Sequence, residues 1–377
     1  MRILIIDTYY SAYLGELYRK NPGWAAEPYD SQWRALMDQC FGTADFYSHN
    51  LKKLGHEAAE VVANCRPLQM RWAREHGIKA RWKWSWRAVG PLRVPSPRRP
   101  DWTYAILQAQ IKAWRPDVVH FQDPNAAPAA FLREIRPHVR LLTAQIASPY
   151  SPRADFSPYD LMLSSFPHYV KRFNEQGLRG KYFRLGFEPR VLQRVKRTAL
   201  HDAVFVGGFS RAHAERIRFF EDLARRFPID WWGYGVDNLN VDSPLRAAWR
   251  GPAWALEMYG RLHNARIAVN HHIDAAENFA NNMRLYEATG AGAMLLTDAK
   301  DNLRELFEPG KEVIAYRSAE ECAERIRYYL DHEAERAAIA KAGQERTLRE
   351  HTYLHRMREY LEIIQKLLSG DSVRGTG

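Results

Sequence analysis

The hydrophobic positions of this chain fall into short runs that are apolar along their whole length, separated by stretches with helical spacing. Such runs fit strands covered on both faces, and their alternation with helices is the signature of a parallel sheet. The first half predicts strands at Ile3–Asp7, Asp117–Gln122, Arg140–Ile146, Asp160–Ser164 and Lys181–Leu185. The second half predicts them at Ala203–Val206, Ile229–Gly233, Arg266–Asn270, Ala293–Thr297 and Glu312–Tyr316. Between the two sets, Gly186–His201 is charged, contains Pro189 and lacks a strong apolar period, so it reads as a linker.

Two further helices are legible near the end. Ser318-Ala-Glu-Glu321 predicts a capping box opening a helix that buries Cys322, Ile326 and Tyr329. Met357, Tyr360, Leu361, Ile364 and Leu368 share one face of a last helix, Thr352–Leu368. The tail Ser369–Gly377 has no apolar period and is expected to be disordered. The expected organisation is a first domain over 1–186, a linker over 187–201, a second domain over 202–351, a last helix over 352–368 and a tail over 369–377. A length of 377 residues agrees with two domains.

No run of 18 apolar residues is present, so no membrane-spanning helix is expected. The apolar start MRILIID is too short for a signal peptide. Cys40, Cys65 and Cys322 are widely spaced, without a CxxC, which argues against a disulfide framework or a zinc site. A cytoplasmic location is the expectation. The net charge of +11 favours polyanionic partners. Much of it is local: Arg71–Arg99 holds nine Lys or Arg against one acid, Glu75, with Trp72, Trp82, Trp84 and Trp86 among them. This stretch has three readings: a peripheral contact with an anionic membrane at its inner face, a site for an acidic glycan, or a helix and loop whose tryptophans pack on the core. No nucleic-acid motif is present, so nucleic acid is not an expected partner.

Two segments carry chemistry. The turn Gly207-Gly208-Phe209-Ser210-Arg211 follows a strand and precedes an Arg-rich helix. Glycines there let backbone amides approach a phosphate, and Arg211 and Arg216 offer positive charge. The second segment, Asn281–Ala293, predicts a helix starting near Asn281 or Asn282, just beyond the strand ending at Asn270. Its free amides and dipole favour an anion. Arg284 falls in the first turn, and Glu287, one turn on, is placed to accept hydrogen bonds from ribose hydroxyls. The competing reading makes Arg284 and Glu287 a surface pair at i,i+3. Adjacent His271 and His272 point to opposite faces of a strand, which disfavours a shared metal ion. Asp7, His120 and Asp123 lie at strand ends of the first half, where ligands gather in open α/β sheets. They are candidate groups for orienting or deprotonating a hydroxyl, with a cap or turn role as the alternative. The aromatic-rich connection Thr8–Asn50 is long for a first βα loop and is a candidate part of the same pocket.

The block FVGGFSRAHAERIRFFEDL, WWGYG, ARIAVNHHIDAAENFANNMRLYEATGAGAMLLTD and the segments after it, to Arg356, resemble the C-terminal domain of GT-B glycosyltransferases. The subgroup it is most similar to is the CgeB-like, or spore maturation protein, set related to glycosyltransferase family 4. LKKLGHEAAEVV, PDVVHFQDP and YDLMLSSFPHYV in the first half resemble the same proteins more loosely. The resemblance implies an α/β chain of two Rossmann-like domains facing a cleft, with a C-terminal helix crossing back to the N-terminal domain. It implies a nucleotide diphosphate sugar as donor substrate, no further cofactor, and a glycan, lipid-linked or small-molecule acceptor on the N-terminal side. By resemblance Glu287 holds the donor ribose, and Gly207 and Gly208 lie beside the diphosphate. The expected donor set is Gly207, Gly208, Arg211, Asn270, Asn282, Arg284 and Glu287, with Arg284 also acting on the leaving group.

The resemblance favours retention, and the absence of an Asp-x-Asp triplet favours a metal-independent reaction. One departure stands out. Where retaining family 4 members have a glutamate eight positions before the one matching Glu287, this chain has Phe279, with Glu277 out of register. The donor-sugar contact of that first glutamate is therefore not carried over. Two rivals remain at this level: an epimerase or hydrolase of nucleotide sugars on the same scaffold, and a non-catalytic polyanion-binding protein.

Overall fold

The computed structural model describes residues 1–78, 83–89, 92–98, 102–210 and 214–370, with the backbone alone for 83–89 and 92–98. Arg211, Trp82 and the end of the tail, 371–377, lie outside the described residues.

Thirteen strands form among the described residues: β1 (Arg2–Asp7), β2 (Glu57–Val62), β3 (Lys83–Val89), β4 (Leu92–Arg98), β5 (Val118–Phe121), β6 (Leu141–Gln145), β7 (Leu161–Ser164), β8 (Gly180–Tyr182), β9 (His201–Val206), β10 (Asp230–Trp232), β11 (Ala265–Asn270), β12 (Met294–Asp298) and β13 (Ile314–Tyr316). The first sheet has the order β2-β1-β5-β6-β7-β8 and the second β10-β9-β11-β12-β13, the second parallel throughout. Strands β5, β6, β7 and β12 are buried at every residue, as their unbroken apolar runs predict for strands covered on both faces.

Two compact units result, residues 1–146 with 150–162 and residues 147–149 with 163–377. In the first sheet β2 lies on one side of β1 and β5 on the other. In the second, β10 and β11 flank β9 in the same way. Each reversal of strand order opens a crevice at the carboxyl ends of the strands, the place where open α/β sheets take ligands.

Local signals hold where the interaction is local. Asn282 caps the helix Met283–Ala291, its side chain accepting from Leu285 N. Ser318 caps Ala319–Asp331 through Glu321 N, while the Glu321 carboxylate accepts from Arg317 N, one residue before the expected partner. Cys322, Ile326 and Tyr329 of that helix are buried in the core of the second unit. The stretch 71–99 differs from the helix-and-loop reading. After the helix Arg66–Glu75 the backbone forms an antiparallel hairpin, β3 with β4, belonging to neither large sheet. Trp72 packs with Ala73 and Ile106 as a core residue.

The turn after β10 depends on glycine. Gly235 has φ +92°, and a Cβ there would overlap the carbonyl oxygen of Phe209, whose amide in turn donates to Tyr234 O at 2.9 Å. Gly251 has φ +109° with open space around it. Gly235→Ala is expected to destabilise the second unit by about 3 kcal/mol or more, combining left-handed strain with overpacking, and Gly251→Ala by about 1 kcal/mol from strain alone. Urea unfolding of the two variants checks this; equal losses would place the whole effect in the dihedral.

Candidate functional site

In the second unit the carboxyl ends of β9, β11 and β12 are joined by one hydrogen-bonded network. It starts at Asn270, the last residue of β11. Asn270 Oδ1 accepts from Asn282 Nδ2 at 2.8 Å, and Asn270 Nδ2 donates to Thr297 Oγ1 at 2.9 Å. Asn270 is 2% exposed with its amide engaged on both sides. It therefore positions the helix cap.

Next to it, His272 Nδ1 lies 2.7 Å from Asp298 Oδ1, and Asp298 Oδ2 lies 3.4 Å from Lys300 Nζ. Burial alone would raise the Asp298 carboxyl, but His272, His271 and Lys300 outweigh it and hold the pKa below the usual carboxylate range. On its other side His272 Nε2 accepts from Asn281 N at 3.3 Å. Asn302 pairs with both backbone groups of Ala280. Together these contacts fix the loop that leads into the helix at Met283. His271 diverges from His272, as expected for adjacent residues. It stacks on Phe219 at 4.2 Å and approaches Tyr316 Oη at 3.1 Å, and burial lowers its pKa to about 4.

Arg284 and Glu287 stand one turn apart at the start of this helix, and their side chains meet at 2.8 Å. The pair is no solvated surface pair: Glu287 is 4% exposed. Burial raises its pKa, with Arg284 and the Tyr259 hydroxyl, 3.4 Å away, pulling the other way. Arg284 also contacts Met258 Sδ. A buried cation stands nearby. Arg216 donates to His271 O at 2.9 Å and to Gly208 O at 3.4 Å, and although burial lowers its pKa it stays charged.

The glycine turn is held by β10 and the segment after it. Gly207 N donates to Trp232 O at 2.9 Å, and Trp231 Nε1 donates to Gly207 O at 2.8 Å. Gly208 is buried, and a Cβ on it would overlap the Tyr234 ring. The two glycines thus serve close packing. Their consequence is an aromatic pair beside the turn: Tyr234, 36% exposed, stacks on Trp254 with centroids 5.3 Å apart and planes 12° apart. The motif WWGYG was visible in the sequence, but its pairing with Trp254 needed the fold.

The first unit has its own cluster at the ends of β1 and β5. Asp7 accepts from Thr8 N at 2.7 Å and from Thr43 Oγ1 at 3.3 Å. Burial raises its pKa to about 7, and the charge of Asp123 adds to the rise. Asp123 caps the turn Pro124–Ala126 through Asn125 N. His120 lies within β5 at 0% exposure, its Nδ1 2.8 Å from Thr143 Oγ1, and burial drops its pKa to about 3. It is a neutral interior residue, whereas Asp7 combines partial exposure with a near-neutral pKa.

That shift has a thermodynamic signature. Because the folded state holds the Asp7 proton more tightly than the unfolded chain, stability is intact below about pH 4 and declines as pH rises through about 7. Asp7→Asn removes the penalty and is expected to gain on the order of 2 kcal/mol over the parent near pH 8, and much less near pH 5. Chemical denaturation at the two pH values reads this, and an equal difference at both would refute it.

Residues 214–362 match the family model described as Glycosyl transferase-like. No curated protein sequence matches the chain. Solved structures match almost end to end. A glycosyltransferase of avilamycin A biosynthesis aligns at 13% identity and TM-score 0.60, covering 98% of each chain. Sucrose-phosphate synthase from Thermosynechococcus elongatus aligns at 12% and 0.58, over 98% of this chain and 100% of its own. The fold is GT-B. Anabaena HepE, solved in complex with UDP-glucose, also shares it, at 14% identity and TM-score 0.57 over 97% of this chain and 100% of its own. The family match covers β10–β13 of this GT-B chain, together with the helix Met283–Ala291.

Proposed function

We propose that this GT-B chain is a glycosyltransferase that moves a sugar from a nucleotide diphosphate sugar to a hydroxyl acceptor. Within the fold it is assigned to the CgeB-like subgroup related to family 4. The observation that carries the reading is the pair of half-buried Arg284 with buried Glu287 at an Asn-capped helix start, with a buried arginine, Arg216, nearby. In this reading the helix amides, Arg284 and Arg216 face the diphosphate, with Gly207 and Gly208 at its edge, and Asn270 holds Asn282 in place. Glu287 takes the ribose hydroxyls. Tyr234 and Trp254 offer a planar face to the base.

The reaction proceeds with retention, as the resemblance implies, and without a metal ion, as the missing Asp-x-Asp triplet suggests; the leaving phosphate oxygen then receives the acceptor's proton. One observation favours a second course: Asp7, with a pKa near 7, is suited to act as the base of an inverting reaction. The division into an acceptor-side domain over 1–186 and a donor-side domain over 202–351 belongs to the same proposal.

A panel of nucleotide sugars scored by thermal shift, followed by turnover with mixed acceptors in a chelator, tests it. Stabilisation by at least one nucleotide sugar and transfer without added metal are expected, since a ligand bound by the folded state alone raises its stability. Failure of every nucleotide sugar and free diphosphate to bind would overturn the reading. The anomeric configuration of the first-formed product, read by NMR, decides between retention and inversion.

A further inference from the structure

The carboxyl ends of β1, β5 and β6 carry a row of polar side chains that the donor site does not use. Ile5 pairs with His120 and His120 with Thr143, so these three residues share one face of the first sheet. Their layer is closed, with His120 Nδ1 2.8 Å from Thr143 Oγ1. Two residues further along each strand, the same face carries Asp7, Gln122 and Gln145. The pairing holds up to that row: Ile6 lies opposite Phe121, Phe121 opposite Ala144, and Gln122 N donates to Ile6 O at 2.9 Å. Asp7 and Gln122 are therefore neighbours across adjacent strands, with backbones about 4.8 Å apart, at the point where the strand order reverses. Gln122 Nε2 is buried and meets no hydrogen-bond acceptor among the described residues. On one side, Gln145 Oε1 is engaged by the Tyr47 hydroxyl at 2.8 Å. On the other, each Asp7 oxygen accepts one bond, from Thr8 N and, at 3.3 Å, from Thr43 Oγ1, and a carboxyl oxygen has room for a second. A buried donor without a partner costs stability, and such a group in a native protein calls for a ligand or a water.

We propose, on the basis of the sugar-transfer reading, that Asp7 and Gln122 together seat one alcohol hydroxyl of a substrate sugar, which donates to the Asp7 carboxyl and accepts from Gln122 Nε2. A hydroxyl both donates and accepts, and a carboxyl next to an amide N–H is its complement. An anion only accepts, and Asp123, close enough for its charge to act on Asp7, repels it. An ammonium group only donates and would leave Gln122 Nε2 unpaired. The hydroxyl belongs either to the acceptor or to the transferred sugar, and the two sources respond to different probes.

Gln122→Met keeps the length of the side chain and removes the amide. Without ligand it is expected to melt at or above the parent temperature, because an apolar group replaces an unpaired buried donor. Methyl glycosides of glucose, galactose, mannose and N-acetylglucosamine are titrated by saturation-transfer NMR in the presence of UDP. UDP-glucose, UDP-galactose and UDP-N-acetylglucosamine are titrated by calorimetry beside UDP. A loss of about tenfold for at least one methyl glycoside places the acceptor's hydroxyl here. The same loss for a UDP-sugar, with UDP unchanged, places the transferred sugar's hydroxyl here. Gln122→Glu, which keeps the shape and replaces the amide donor, is expected to show the same loss and serves if Gln122→Met does not fold. Variants that bind every probe like the parent would overturn the proposal and, if they also melt lower, leave Gln122 as a structural residue that holds a water. Absence of any binding by glycosides, and of any gain by UDP-sugars over UDP, on the parent protein would overturn it as well. The binding of UDP alone to the parent tests the sugar-transfer reading separately, so failure of either stands apart from the other.

Discussion

Ending the chain after His351 is expected to leave the second unit unfolded. The helix Tyr353–Leu368 buries Tyr353, Met357, Tyr360, Leu361 and Ile364, all at 7% exposure or less. Their loss removes about 1.5–3 kcal/mol each, on the order of 10 kcal/mol in total. That equals the whole stability of a typical domain, ~5–15 kcal/mol. The helix is also tied in by polar contacts. Phe187 N donates to His351 O and Tyr353 N donates to Phe187 O, at 2.8 and 2.9 Å. Arg184 pairs with Glu359 at 2.8 Å, and Phe183 meets the Tyr360 ring. Arg356, 1% exposed, donates to Glu350 O and Glu359. Circular dichroism and gel filtration of the truncated chain check the expectation, with a chain ending after Leu368 as the matched control. A truncated protein that stays monomeric and melts with the parent would contradict it.

Arg284→Ala is expected to cost about 10²–10³ in turnover, the loss typical of removing one donor from a site where negative charge develops. Donor affinity should fall less, because the charge on the diphosphate grows as the glycosidic bond breaks. Equal effects on affinity and on kcat/KM would instead mean that Arg284 binds ground state and transition state alike. The variant also strands Glu287 in the interior, where breaking a buried pair costs about 3–5 kcal/mol unless the carboxyl takes up a proton. Burial already raises its pKa, so protonation is the expected escape. The double variant Arg284→Ala/Glu287→Gln separates the two effects: it should recover stability and leave turnover low. Glu287→Ala alone should weaken nucleotide binding by about 2–3 kcal/mol through the lost ribose hydrogen bonds. Calorimetry with free UDP reads that change, and unchanged affinity in a folded variant would remove Glu287 from the site.

Much of the candidate site was legible as position and little of it as role. Asn282, Arg284 and Glu287 were recognisable because a cap and a first helical turn involve residues three or four apart. That Glu287 is buried in its pair with Arg284 depends on Met258 and Tyr259, which arrive from 26 and 28 residues away. Asn270 was legible as a strand end, yet its amide is taken up by Thr297 and Asn282. Gly207 and Gly208 were legible as a turn, but the segment 232–235 decides that Gly208 packs against the Tyr234 ring.

By itself the sequence determined the alternation of strands and helices, the apolar face of the last helix and the caps at Asn282 and Ser318. Each is set by neighbours within one or two turns, or by unbroken apolar runs that only two-sided burial accommodates. Tertiary structure alone decided the protonation landscape: a neutral His120, a carboxyl near neutrality at Asp7, and an Asp298 held ionised by His272 and Lys300. It also decided that the hairpin β3–β4 stands apart from both sheets. The physical reason is the same in each case. Desolvation and charge coupling depend on distance in space, and a chain that folds through two parallel sheets brings together residues a hundred positions apart.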